Sequence, residues 1–343
     1  MSDTNKNTIN RNASPSAYGW AFQVGAGIKL MIENVKEFTA LKMEGKNDDI
    51  EITMPNGKIY AQAKSTTVMG NQSSANENLN NALATLSDDV KNDTKCIKLI
   101  YITNILNPFS TSQTISPFYN QYDTSYDFST LPPEDKQKII SIVGNNFPVE
   151  QLQVHILKFF GEGDNKFDSI KNYIRSFVSE ALGDPSLNAN LFDKWYTLFS
   201  LNCTDKPKDE MSFDKSKKEI MYPVIILAID PPIPLEQFQK VSDYDDYDEI
   251  VKQYRDLINE RASEYDFTSA LLGEYNTQKA NIESSNRANF KYDYVNNNWQ
   301  QYEESFNQIT DIEIRQAVTK LTLLTIIIKA SKLDKIHKAA NIK

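Results

Sequence analysis

Between Ser16 and Lys36 the apolar positions Ala21, Gly25, Ile28, Ile32 and Val35 recur at spacings of four and three, which predicts a helix with one apolar stripe. The small residues at the start of the stripe, Ala21 and Gly25, permit close approach to a sheet. From Phe38 the pattern shortens to alternating runs over roughly 38–43, 49–54 and 58–64, which predict three strands. Helical spacing returns at Leu79, Leu83, Leu86 and Val90. Residues 96–103, CIKLIYIT, then form a continuous apolar run of the kind buried on both faces of a sheet. The order α-β-β-β-α-β makes a compact α/β unit of about a hundred residues.

Downstream the signal changes. Pro108, Pro117, Pro132 and Pro133 punctuate residues 107–135, which read as an irregular connector and a domain boundary. Helical patterns follow over 139–143, 149–159, 167–182, with Gly183 as a cap, and 191–201. Residues 222–230 are a β-branched apolar run closed by Pro231-Pro232, read as a buried strand or an extended docking segment. The acidic, aromatic run 242–266 predicts a long amphipathic helix through Tyr247, Ile250, Tyr254, Leu257 and Ile258; its charged face is either solvated or a docking surface for a basic partner. A final helix over 311–340 repeats Ile314, Val318, Leu321, Leu324 and Ile328, with lysines towards its C-terminal end, the favourable end of the helix dipole. The expected organisation is a flexible tail (1–15), an α/β domain (16–106), a connector (107–135) and a mainly α-helical regulatory or assembly domain (136–343).

The chemistry concentrates in the predicted hairpin. Asn56-Gly57 supplies the positive dihedrals of a type I′ turn, which places Glu51 opposite Gln62 and Asp49 opposite Lys64. Asp49, Glu51, Gln62 and Lys64 then share one face, and Ile50, Ile52, Ile59, Ala61 and Ala63 share the other. The polar set suits metal-dependent phosphodiester hydrolysis. Asp49 offers a hard anionic oxygen to Mg²⁺, Gln62 a carbonyl oxygen to the same ion, and Lys64 a cation beside the attacking water and phosphate. The competing reading is an ordinary solvated strand face with cross-strand ion pairs. Gly25-Ala26-Gly27 lies inside a helical pattern with no strand before it, which excludes a dinucleotide-binding turn.

Composition narrows the function classes. A chain of 343 residues with 40% hydrophobic and 11% aromatic content has room for two cored domains. Net charge is −9, yet residues 1–104 hold eleven Lys or Arg against eleven Asp or Glu, so the acidic excess lies downstream. Weak intrinsic DNA affinity follows, with firm engagement left to oligomerisation or a partner. Cys96 and Cys203 are far apart, which excludes a disulfide framework or zinc module and fits a reducing cytoplasm. His155, in an apolar run and read as a core residue, and His337 are the only histidines, which argues against zinc hydrolase and Ser-His or Cys-His chemistry. No apolar run reaches the ~20 residues of a membrane span, and none resembles a signal peptide.

The α-β-β-β-α-β order with Asp49 and Gln62-Ala63-Lys64 resembles the PD-(D/E)XK, or restriction-endonuclease-like, nucleases. Together with Tyr18-Gly19-Trp20-Ala21-Phe22-Gln23, Glu44, Asp48-Asp49-Ile50 and Ile102-Thr103-Asn104, it is similar to the N-terminal dsDNA endonuclease domain of anti-phage effectors in CBASS and Lamassu systems, over residues 16–104. The resemblance implies a Mg²⁺-dependent endodeoxyribonuclease, Mn²⁺ serving as well, with Asp49, Gln62 and Glu44 at the metal and Lys64 beside it. It also implies double-stranded DNA as substrate and activation by homo-oligomerisation or release from a partner. Of the two settings Lamassu is the expected one, where the partners are an SMC-like ATPase and an accessory subunit; a nucleotide-activated CBASS effector nuclease is an alternative. The other alternative is a non-catalytic assembly scaffold that keeps a nuclease-like fold.

Overall fold

A computed structural model of the chain describes residues 14–44, 48–68, 73–93, 95–111, 116–181, 183, 185, 188–201 and 214–342. Most of the predicted N-terminal tail and Cys203 lie outside those residues. The chain divides into two units, Met1–Ile174 with Phe192–Lys217, and Arg175–Leu191 with Lys218–Lys343.

The first unit opens with the predicted order: α1 (Ser14–Glu33), β1 (Ala40–Met43), β2 (Ile50–Met54), β3 (Gly57–Lys64), α2 (Ala75–Asn92) and β4 (Cys96–Thr103). It does not end there. β5 (Thr124–Asp127), α3 (Pro133–Val143) and β6 (Leu152–Ile156) follow, and the described residues form one seven-stranded sheet in the order β5-β6-β4-β3-β2-β1-β7, with β7 at Lys215–Ser216. Residues 107–135 are therefore no domain boundary. Their prolines bracket an edge strand, and the helix expected over 149–159 is β6, paired in parallel with β4 from Leu99↔Leu152 to Thr103↔Ile156. QVHI is too short an apolar run to separate strand from helix by period, and the open edge of β4 decides. Residues 136–174 accordingly belong to the sheet unit and not to a C-terminal helical domain.

β1, β2 and β3 form an antiparallel meander, and α2 carries the chain over to the parallel neighbour β4. α1 packs against β1, β2 and β3 on one face; α2 packs against β3 and β4 on the other. Small residues set the α1 approach. A Cβ on Gly27 would sit 2.7 Å from Met43 Sδ, and one on Gly25 would sit 3.2 Å from Ile170 Cγ1 of α4 (Asp168–Ala181). On the α2 face, Leu79, Leu83 and Leu86 join Tyr60, Leu99, Tyr101, Leu152 and Val154 in one buried cluster.

The hairpin register differs from the expected one. Glu51 faces Tyr60 and Met54 faces Gly57, so the two loop residues are Pro55 and Asn56. A type I′ turn needs positive φ at Asn56, which is absent from the positive-φ residues. Pro at the second position, Asn at the third and Gly at the fourth is type I chemistry, and the proline decides the turn. The shift is two residues in pairing sum, so the faces expected for the side chains are unchanged.

One polar group is buried on the α1 face. Lys29, 2% exposed, places Nζ 2.6 Å from Glu33 Oε1 and 3.0 Å from His155 Nδ1. Burial first, then the Lys29 and Lys98 charges, hold His155 well below the usual imidazole range. The folded chain therefore refuses a proton that the unfolded chain accepts near pH 6.5, and stability present above that pH is lost as pH falls. We expect this one residue to contribute to the loss as pH falls through the unfolded imidazole range near 6.5. His155→Gln, which keeps an acceptor for Lys29, should show a shallower acid limb in chemical melts; parallel limbs would contradict it.

The second unit is helical: α6 (Lys217–Ile229, its first residue in the sheet unit), α7 (Leu235–Phe238), α8 (Tyr247–Ser263), α9 (Tyr265–Ala280), α10 (Phe290–Asn298) and α11 (Ile312–Ala340). α4 and α5 (Asn188–Leu201) run from one unit's residues into the other's. The run 222–230, expected as a strand or docking segment, lies in α6. Ile220, Met221, Val224, Ile225, Leu227, Ala228 and Ile229 are buried, so this helix is apolar on more than one side and its β-branched content does not decide its conformation. Asp311 caps α11 by accepting from the Glu313 and Ile314 amides, and residues 317–327 are buried without interruption. Among the described residues, no helix is long and apolar enough to cross a membrane.

Candidate active site

β3 ends at Lys64, at the edge of the sheet where the parallel strands β3, β4 and β6 have their C-terminal ends. Asp49 immediately precedes β2, and Glu44 immediately follows β1. Three consecutive strands thus bring their polar ends to one corner. Glu44 takes a left-handed conformation (φ 50°), and its amide donates to the Asp49 carbonyl at 2.9 Å, closing the short connection between β1 and β2.

Asp49 is 8% exposed and fixed from two sides: its Oδ2 accepts the Ala63 amide at 2.7 Å and Lys64 Nζ at 3.1 Å. The Lys64 side chain remains 28% exposed, so the cation is held at an opening and not sealed in. The Glu44 carboxyl is raised by partial burial first and then by the Asp49 charge; Lys64 and a hydrogen bond from Gln23 of α1 oppose the rise. Glu51 is engaged elsewhere, 2.7 Å from Lys58 in an ion pair, which leaves Glu44 as the acid beside Asp49.

Gln62 is 1% exposed, and its Nε2 donates to Asp48 Oδ1 at 3.3 Å. Asp48 and Asp89, the latter on α2, are both buried. Burial first, then the hydrogen bond and charge of Asp89, push Asp48 up to about 9, and burial raises Asp89 as well. Two carboxyls in one dry space hold a proton between them. The face carrying Gln62 is therefore the packed α2 face, not the solvated strand face of the competing reading. Asp89 was legible as an acid three residues after Leu86 on the buried stripe of α2; Gln23 carried no periodic signal.

The expected residues thus converge in part: Glu44, Asp49 and Lys64 form one cluster, and Gln62 is turned to Asp48. Among the described residues no group of three or more His, Cys, Asp or Glu side chains is placed to hold a metal. The donor types are nevertheless the hard oxygens that a divalent cation takes. Glu44 and Asp49 supply two carboxylates, Asp49 Oδ1 accepts no hydrogen bond from the described residues, and Gln62 adds a neutral carbonyl oxygen. Gln62→Glu would set a third acid against Asp48 and Asp89 and delete the donor to Asp48. We expect it to cost about 2–3 kcal/mol of stability, read from denaturant melts, and not to tighten metal binding.

No protein-family model matches the chain, and no curated protein matches it. Solved structures give low likenesses. The Cap4 SAVED/CARF-domain containing receptor of Moraxella osloensis aligns at TM-score 0.38 and 13% identity, over 66% of this chain and 50% of that one. The Acinetobacter baumannii Cap4 receptor with the cyclic trinucleotide 2'3'3'-cAAA aligns at 0.36 and 14%, over 75% and 59%. The same receptor with 3'3'3'-cAAA aligns at 0.37 and 14%, over 73% and 59%. The chain spans between 50% and 59% of the length of these receptors, and likenesses this low establish neither its fold nor its function.

Proposed function

We propose that the chain is a metal-dependent endonuclease acting on double-stranded DNA, with a restriction-endonuclease-like sheet and the catalytic group Glu44, Asp49, Gln62 and Lys64. The observation that carries this reading is the Lys64 ammonium 3.1 Å from Asp49 Oδ2, at a sheet corner where Glu44 directly follows the end of β1. Glu44, Asp49 and the Gln62 carbonyl are the residues that would hold Mg²⁺ or Mn²⁺. Bound there, the ion supplies Lewis-acid polarisation of the phosphate and acidification of water. Lys64 places a fixed cation where charge develops on the phosphate oxygens, and the Asp49 contact holds it in one direction. Glu44, with its raised carboxyl, orients the attacking water at the mouth.

The charge balance supports control by assembly. Residues 1–104, with no net charge, neutralise few phosphates on their own, so cutting should rise more than linearly with protein concentration. The Lamassu and CBASS settings rest on the family resemblance, and no surface of the described residues is tied to an SMC-like ATPase or an accessory subunit.

The test is plasmid cleavage by the full chain with Mg²⁺, Mn²⁺ or EDTA, over a range of protein concentrations. Cyclic trinucleotides are included as an arm because a nucleotide-activated effector is the second reading. Metal-dependent nicking or linearisation is expected. No cleavage in any arm would leave the scaffold as the better account.

A further inference from the structure

We propose that Asn104 is a positioning residue for Lys64. The inference rests on the nuclease reading above and concerns how the site is held, not what it cuts.

Lys64 is the last residue of its strand, and its pairing with Thr103 is the last rung between β3 and β4. The final residue of a ladder frays unless something beyond it is tied down, because the chain after it gains freedom without losing a bond. Beyond Lys64 the backbone of β4 no longer supplies the partner. The side chain of Asn104 does. Its Oδ1 accepts the Thr66 amide at 2.8 Å, and its Nδ2 donates to the Thr66 carbonyl at 2.7 Å. An amide side chain presents one donor and one acceptor, as a peptide group does, so Asn104 adds one artificial rung past Lys64.

The same amide reaches further. Nδ2 also lies 3.2 Å from the Phe159 carbonyl, just beyond β6, and 3.4 Å from Tyr18 Oη of α1. Tyr18 in turn donates to the Phe159 carbonyl, and its ring packs edge-on to the Phe159 ring. Asn104 is fully buried, and its bonds to Thr66 and Phe159 are shielded from water. One side chain therefore fixes the exits of β3, β4 and β6 to one another and to α1. The segment so fixed begins two residues after Lys64. Misplacing a catalytic group by about an ångström costs on the order of 100-fold in rate.

The experiment compares Asn104→Ala with wild type in the full chain, using plasmid cleavage at saturating Mg²⁺, duplex binding and thermal melting. Lys64→Met is the control for the nuclease reading. Tyr119→Phe, which removes a buried bond to Asp135 under α3, shows what lost stability alone does to cutting. We expect Asn104→Ala to lower kcat on the order of 10- to 100-fold while KM and duplex affinity stay within about twofold. Hydrogen exchange at the Thr66 amide should rise while the centre of β4 stays protected. Asn104→Asp keeps the acceptor and loses the donor, and should fall between the two.

Unchanged kcat in a folded Asn104→Ala chain would overturn the inference, as would a loss shared equally between kcat and duplex affinity or one matched by Tyr119→Phe. If wild type does not cut, or Lys64→Met cuts as wild type does, the nuclease reading fails instead. Should Asn104→Ala not fold, the Asn104→Asp rate and the Thr66 exchange decide.

Discussion

Lys64→Met is expected to lower metal-dependent DNA cleavage on the order of 1,000-fold with little change in stability. The side chain is part-exposed, and its buried partner Asp49 keeps the Ala63 amide as a hydrogen-bond donor when the ammonium is removed. The matching Asp49 variant must be chosen with care. From the strand pattern alone, Asp49→Ala reads as harmless to the fold, since the side chain points away from the apolar face. In the structure Asp49 Oδ2 accepts the Ala63 amide at 2.7 Å, and alanine would leave that buried N–H unpaired. Asp49→Asn keeps an acceptor for Ala63 while removing the charge, and should lose cleavage to a similar degree. Cleavage by either folded variant at the wild-type rate would end the assignment of these two residues.

Gly57→Ala is expected to destabilise the sheet by about 3 kcal/mol, or roughly 6–12 °C in Tm, although the position is a hairpin end with polar neighbours. The added methyl would sit 2.2 Å from the Lys95 carbonyl oxygen and 2.7 Å from Ile97 Cγ2. Neither can yield cheaply, because the Lys95 carbonyl also accepts the Lys58 amide at 2.9 Å, where β3 meets the start of β4. Gly57 has φ of 156°, a conformation that side chains resist in any case. Thermal melting of Gly57→Ala beside Asn56→Ala separates the two residues of the dipeptide. An Asn56 substitution with the larger effect would mean that turn chemistry, not close approach, requires the glycine.

The sequence by itself determined the elements whose pattern is long or whose ends are marked. α1, the three strands, α2 and β4 appear in the expected order, and α11 starts at the capping residue Asp311. Strand alternation has a period of two, so the sharing of faces by Asp49, Gln62 and Lys64 survived a register shift of two residues. Tertiary structure decided the rest, for a physical reason that recurs. Short apolar runs carry no period of their own. β6 is a strand because β4 offers an open edge, and α6 is a helix although its buried residues show no single apolar stripe. The same holds at the site. Strand spacing put Asp49, Gln62 and Lys64 on one face, and the family resemblance added Glu44. Only the packing of α2 turned Gln62 towards the Asp48 and Asp89 pair, and only the meeting of three strand exits gave Asn104 its place beside Lys64. Those contacts join residues far apart in the chain, and no local pattern encodes a contact whose second half is supplied by folding.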